Sequence, residues 1–313
     1  MKTTLTARDL ALVLAVVVIW GFNFVPIRWA LDEVPPFALA SLRFFLASVP
    51  AIFFVARPAM TWRHIGAYGV AIGVFQFGLL FLGIKLGMPA GLASLVIQLQ
   101  VFFTIGLAVA FMGDRLHRWN VAGAIVALVG IVVLGAYKFA SGLSGTLIGF
   151  FIIIGAAFAW AVGNVIAKRA QGADTFALVV WSSTVPPLPL AGLSYLFEGG
   201  SAGWHAVLGA SWTTWICVLF LAWAATLFGY AKWNDLLHRY PTTLISPFAL
   251  LIPVAGLASG AIFLAERLAP VQVAGVVLVF AGLAINVYGA RLWSWLSGRN
   301  MRAERAPPRP ARR

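Results

Sequence analysis

Charge is what this chain has least of. Only 10% of its 313 residues are Asp, Glu, Lys or Arg, 62% are hydrophobic, and the mean hydropathy is +0.95. A soluble domain carries about 25% charged residues, and no soluble packing buries so much apolar surface in a chain of this size. Lipid must be the solvent for much of it. Acid is scarcer still. The nine carboxylates all fall in loops, tails or span ends, so no Asp/Glu proton relay is visible at mid-depth, and Asp235 and Glu266 at the membrane edges read as structural. The single cysteine, Cys217, excludes an intramolecular disulfide and any cysteine-rich metal site. His64, His117, His205 and His238 have no ligand spacing, so no metal is expected. Without a nucleophile–base pair or metal cluster at depth, an intramembrane enzyme has nothing to work with, and no cofactor is called for.

The basic surplus, a net charge of +13, lies in short clusters between apolar runs rather than on one face. That pattern argues against a nucleic-acid partner. Seven of the 22 basic residues fall from Arg291 onward, in a tail over 291–313 that also holds Pro307, Pro308 and Pro310. Its composition predicts disorder and contact with anionic lipid head groups.

What is abundant is long apolar runs. Crossing the hydrocarbon takes about 20 helical residues, and ten runs qualify: 9–30, 36–56, 65–86, 90–112, 119–137, 146–167, 175–197, 212–234, 243–264 and 271–290. The first follows Lys2 and Arg8 but is too long for a signal-peptide core and ends in no small-x-small site. Connections are short; the longest, 198–211, reads as a surface loop. With the N-terminus cytoplasmic, 17 of the 22 basic residues fall on the cytoplasmic side, and without the tail the ratio is ten to four. Both termini are therefore expected inside.

The chain also repeats itself. Asp114-Arg115-Leu116 is answered 152 positions later by Glu266-Arg267-Leu268, Asn120-Val121-Ala122-Gly123 by Gln272-Val273-Ala274-Gly275, and Gly130 by Gly282. Trp20-Gly21 with Asn23 has a looser echo in Trp160-Ala161 with Asn164. Ten spans then divide into two five-span units, 1–137 and 146–290. An odd number of spans per unit inserts the copies upside down relative to each other, an arrangement that places a substrate site between the halves near the bilayer midplane.

Polar side chains inside spans mark candidates for that site. An arginine at mid-bilayer costs about 2.5–3.5 kcal/mol on insertion scales. Arg43, about 10 Å of helix from the outer boundary, must face a wet cavity, or else anchor to Asp32 or Glu33 at the outer mouth. Gln76 lies at the middle of its span. In the next, Ser94 and Gln98 share one face, Gln100 and Thr104 another. Only one face can line a cavity, and Ser94–Gln98 is favoured because Ser94 maps onto Ser246. Asn23 and Asn164 are interior amides that fit either a cavity or interhelical bonding. Trp20 and Trp160 are deep enough to form aromatic walls. Pro247 and Pro253 should bend the ninth span and serve as hinges. Pro186, Pro187 and Pro189 should bend the seventh, and Gly69 with Gly73 reads as a close helix contact.

These strings resemble a known family. Val18-Ile19-Trp20-Gly21-Phe22-Asn23-Phe24, Ser41-Leu42-Arg43-Phe44, the run from Gly87 to Phe103, and the paired ends Gly113-Asp114-Arg115-Leu116 and Ala265-Glu266-Arg267-Leu268 resemble EamA-type exporters of the drug/metabolite transporter superfamily. The resemblance covers roughly 8–290. It implies an all-α integral membrane protein of ten transmembrane helices, built as two inverted five-helix repeats. The run from Gly87 is similar to that of the bacterial exporters of O-acetylserine and cysteine. The implied function is export of small amino-acid-like metabolites across the bacterial inner membrane by alternating access, with a small molecule and the lipid bilayer as partners. Alternatives are another metabolite or drug on the same scaffold, or a passive channel.

Overall fold

In hydrocarbon every backbone N–H and C=O must find its partner within the protein, and the helix achieves this within one segment. Leu-, Val-, Ala- and Phe-rich runs of this length therefore have one structural outcome. The computed structural model describes residues 6–112, 118–140, 144–169, 174–239, 248 and 251–296. Among these every regular element is helical. The first half holds α1 (Ala7–Phe22), α2 (Phe24–Glu33), α3 (Pro36–Ile52), α4 (Trp62–Gly69), α5 (Gly78–Lys85), α6 (Ala90–Val96), α7 (Gln100–Met112) and α8 (Arg118–Ala140). The second holds α9 (Ser144–Arg169), α10 (Thr175–Ser182), α11 (Pro187–Phe197), α12 (Ser201–Leu208), α13 (Trp212–Leu219), α14 (Gly229–Arg239), α15 (Leu251–Phe263) and α16 (Pro270–Leu296). Six helical stretches are long and apolar enough to cross a membrane, and four shorter apolar helices accompany them among the described residues. Asp114, Arg115, Ser246, Pro247 and 297–313 of the expected tail lie outside the described residues, while 291–296, expected disordered, continue α16 as helix.

Helix starts follow the local chemistry. Thr6, Thr61, Asp174 and Ser211 each accept a backbone N–H in the first turn that follows. Pro36 and Pro187 open their helices where a missing N–H removes no ladder bond. The segment expected as a surface loop, 198–211, instead contains α12, whose Val207 is buried and whose Gly203 lies against Ser194. That apolar contact is what gives the short helix its place on the bundle.

Several helices are interrupted along their length. Pro26 offers no N–H to the Phe22 carbonyl, and α1 passes into α2 at Asn23. Val70–Phe77 and Phe220–Phe228 are π-helical, one in each half, and Ile97–Leu99 is a 3₁₀ turn between α6 and α7. Residues 183–186 separate α10 from α11 at the proline cluster.

Glycines set the closest helix contacts. A Cβ at Gly123 would lie 2.5 Å from Gly282 O, and one at Gly130 would lie 2.6 Å from Gly275 O. The pairing of 123 with 282 and 130 with 275 means α8 and α16 run antiparallel, and Asn120 donates to Asn286 at 2.6 Å on the same interface. Gly69 lies against Ser182 and Val185, and Gly73 admits the ring of Pro186. Gly21 of α1 meets Ala255 of α15.

At the end of the bundle away from residue 7, three carboxylates fasten one half to the other. Glu33 accepts from Ser211 N and Oγ at 2.7 and 2.8 Å, at the start of α13. Glu198 accepts from Phe37 N and Ala38 N at 2.7 and 3.2 Å, at the start of α3. Glu266 accepts from Ala90 N and Gly91 N at 2.6 and 2.9 Å, at the start of α6. Each satisfies backbone donors that no helical carbonyl can reach, and each negative charge meets the positive end of a helix dipole. Ala265, beside Glu266, has φ +53°, the left-handed position that ends α15. At the opposite end Arg239 pairs with Asp9 at 2.7 Å and with Asp235 at 2.8 Å, and the Asp9 hydrogen bond, with Asp235 assisting, raises the Arg239 pKa above its ordinary value.

Candidate functional site

Irregular backbone is tolerated at membrane depth only where it is buried in protein or lines a cavity. Here the interruptions converge. Asn23 sits at the α1/α2 break, Gln76 in the first π segment and Gln98 in the 3₁₀ turn, and all three line one cavity with Arg43 of α3. Trp20, Trp160 and Tyr230 form aromatic wall, and Phe24, Phe77, Leu80, Ile97 and Ile252 complete it. Both halves of the chain contribute.

Arg43 is 2% exposed. Its Nε donates to Thr226 Oγ1 at 3.1 Å, and its guanidinium carbon lies 4.0 Å from the centre of the Phe77 ring, with Phe44 and Phe81 each at 5.9 Å. No described carboxylate pairs with it. The alternative anchors are engaged elsewhere: Asp32 bonds Arg28, and Glu33 holds Ser211. The charge is thus held by one hydroxyl and the negative faces of three rings, while Nη1 has no partner among the described residues. Asn23 Oδ1 and Gln76 Oε1, on side chains 7% and 2% exposed, are likewise unpartnered. Leaving a buried polar atom unsatisfied costs about 1–3 kcal/mol, so three at one cavity define a place suited to a polar occupant.

Of the side chains singled out from sequence, the structure brings together Trp20, Asn23, Arg43, Gln76, Gln98 and Trp160. Ser94 and Asn164 lie elsewhere. Ser94 is fully buried, its Oγ donates to Gly91 O at 2.6 Å, and it occupies the space opposite Gly256 where α6 crosses α15. Asn164 donates to Gln100 Oε1 at 2.8 Å and Thr104 Oγ1 at 3.1 Å, joining α9 to α7. Pro253 lies in α15, and residues 249 and 250, just before the first described residue of that helix, are outside the described residues. Ser246 and Pro247 are outside the described residues.

Two participants were not singled out. Thr226 lies in the second π segment, 150 positions after Gln76 in the first, and donates to Leu221 O at 2.8 Å while accepting from Arg43. The repeat offset, relaxed by two residues, would have pointed to it. Tyr230 packs against Trp20, ring centres 5.2 Å apart and planes tilted by 56°, and the Trp20 indole donates to Ala225 O at 2.8 Å. Its place near a span's end concealed it as an interfacial aromatic.

Comparison with known proteins agrees with this architecture. The model of the EamA-like transporter family matches twice, at residues 8–136 and 147–288. The chain belongs to the EamA-like transporter family and is a multi-pass membrane protein. It is similar to a probable amino-acid metabolite efflux pump of Escherichia coli (strain K12), with 43% identity over 92% of this chain and 97% of the relative. A protein of the same description from Salmonella typhimurium (strain LT2) is 44% identical over the same shares. A solved crystal structure aligns with TM-score 0.63 at 20% identity, covering 92% of this chain and 99% of its own, a likeness of fold.

Proposed function

We propose that the protein exports small amino-acid-like metabolites, cysteine, O-acetylserine or close chemical relatives, across the bacterial inner membrane by alternating access. In this reading ten spans form two five-helix repeats, 1–137 and 146–290, mounted upside down relative to each other, with both termini cytoplasmic. Supporting it are the two family matches, the antiparallel glycine-to-glycine contact of α8 with α16, and the relatives described as amino-acid metabolite efflux pumps.

The single observation that carries the proposal is Arg43: a buried cation with no described counter-ion and a free Nη1 on a cavity built by both halves. Arg43 attracts the substrate carboxylate, and Asn23, Gln76 and Gln98 supply hydrogen bonds. The outer carboxylate fastenings hold that end shut and must release for outward opening.

The test is counterflow in proteoliposomes, with labelled cysteine outside and unlabelled cysteine inside under reducing conditions. Trans-acceleration is expected of a carrier, and its absence alongside leak would indicate a channel. Arg43→Ala should abolish flux while inserting normally; undiminished flux would remove Arg43 from the site. Tags placed at 114–115 and at 266–267 should be reached from opposite compartments.

A further inference from the structure

The three unpartnered buried atoms at the cavity are not chemically alike, and their kinds are informative. Nη1 of Arg43 is a cationic donor, whereas Asn23 Oδ1 and Gln76 Oε1 are neutral acceptors. A ligand that satisfies all three carries an acceptor at one end, best matched to the guanidinium when it is anionic, and a donor with at least two hydrogens at the other. We infer that the cavity reads the free zwitterion of an α-amino acid, the carboxylate on Arg43 and the α-ammonium on the carbonyl oxygens of Asn23 and Gln76. This rests on the exporter reading and deepens it.

The surroundings agree with that division. No carboxylate among the described residues lines the cavity, so the ammonium is met by amide dipoles and aromatic faces, Trp20 and Trp160, each able to accept a cation. The arrangement holds the ammonium without neutralising Arg43. An acidic side chain in place of either amide would pair with the guanidinium and close the carboxylate position. Phe24, Leu80, Ile97 and Ile252 make the rest of the wall mainly apolar, and its other polar groups, Gln98 and Tyr230, are uncharged side chains. The site therefore selects against acylation of the amine and against loss of the carboxylate.

Three compounds share one side chain and separate these features: cysteine has both groups, N-acetylcysteine lacks the ammonium, and cysteamine lacks the carboxylate. Purified full-length protein in proteoliposomes is assayed with each as the internal counter-substrate for labelled cysteine. A hydrogen bond to a charged group corresponds to about 10- to 100-fold in affinity, so both analogues should drive exchange at least about tenfold more weakly than cysteine. Gln76→Met, close in shape but without the acceptor, should shrink the preference for cysteine over N-acetylcysteine and leave the preference over cysteamine. Arg43→Gln should do the reverse. Because each readout is a ratio, reduced expression or partial misfolding does not imitate it. N-acetylcysteine exchanging as well as cysteine overturns the inference and leaves the exporter reading standing. Failure of all three compounds to exchange overturns the exporter reading, and this inference with it.

Discussion

Arg43 Nε and Thr226 Oγ1 are bonded at 3.1 Å across 183 positions of sequence, joining α3 of the first half to the π segment of the second. The Thr226 hydroxyl turns its own hydrogen to Leu221 O, so its lone pair is left facing the guanidinium. Local geometry in one half thus fixes the orientation of the charge in the other, and leaves Nη1 for the cavity. Thr226→Val keeps the shape and removes the acceptor. The expected result is a rise of about tenfold in the KM for exchange, with Thr226→Ser restoring it; an unchanged KM in the valine variant would show that Thr226 does not position Arg43.

Glu266 and Glu198 fasten the end of the bundle away from residue 7 by accepting from the first N–H groups of α6 and α3. Replacing either by alanine strands those donors and removes a favourable dipole interaction, about 1–2 kcal/mol each. In a Cys217→Ser background, a cysteine placed at Ile252 on the cavity wall should react faster with a membrane-impermeant thiol reagent added outside once Glu266 is alanine. Equal rates would mean that the fastening does not limit outward opening.

Ala265 holds φ +53° immediately before Glu266. A left-handed conformation strains an alanine and not a glycine, and the sequence itself has Gly113 at the matching place 152 positions earlier. Ala265→Gly should stabilise the protein by about 1 kcal/mol, seen as a higher melting temperature. A lower one would show that the strain is absent.

Gly282 packs where an added Cβ would come within 2.5 Å of Ala127 N and Gly123 O, both backbone atoms that cannot yield. Gly282→Val should destabilise by at least about 1–3 kcal/mol, the ordinary range for overpacking, and separate α16 from α8. Gly192, with nothing within 4 Å of its Cβ position, is the control: Gly192→Ala should be neutral or gain up to about 1 kcal/mol of helix propensity. Thermal unfolding in detergent measures both.

How much of this was legible beforehand depended on which physical constraint was acting. The requirement that a backbone in lipid satisfy itself is independent of neighbours, so the apolar runs alone determined the helices, and their edges at Pro36, Ala90 and Trp212 agree with the described elements. Burial cost is likewise local, so Arg43, Gln76, Asn23 and Gln98 stood out as side chains that lipid would reject.

Tertiary structure decided what those side chains do. Lipid and protein interior are both apolar, so span periodicity says which residues share a face and not which face points inward. That is why Gln98 reaches the cavity while Gln100 on the opposite face bonds Asn164, and why Ser94, on the favoured face, fills a helix crossing instead. The partner of Arg43, the π segments that set Gln76 and Thr226 opposite it, and the carboxylates closing on distant helix starts all arise where separate spans meet. No span carries that information by itself, because each of these bonds exists only after two helices have packed.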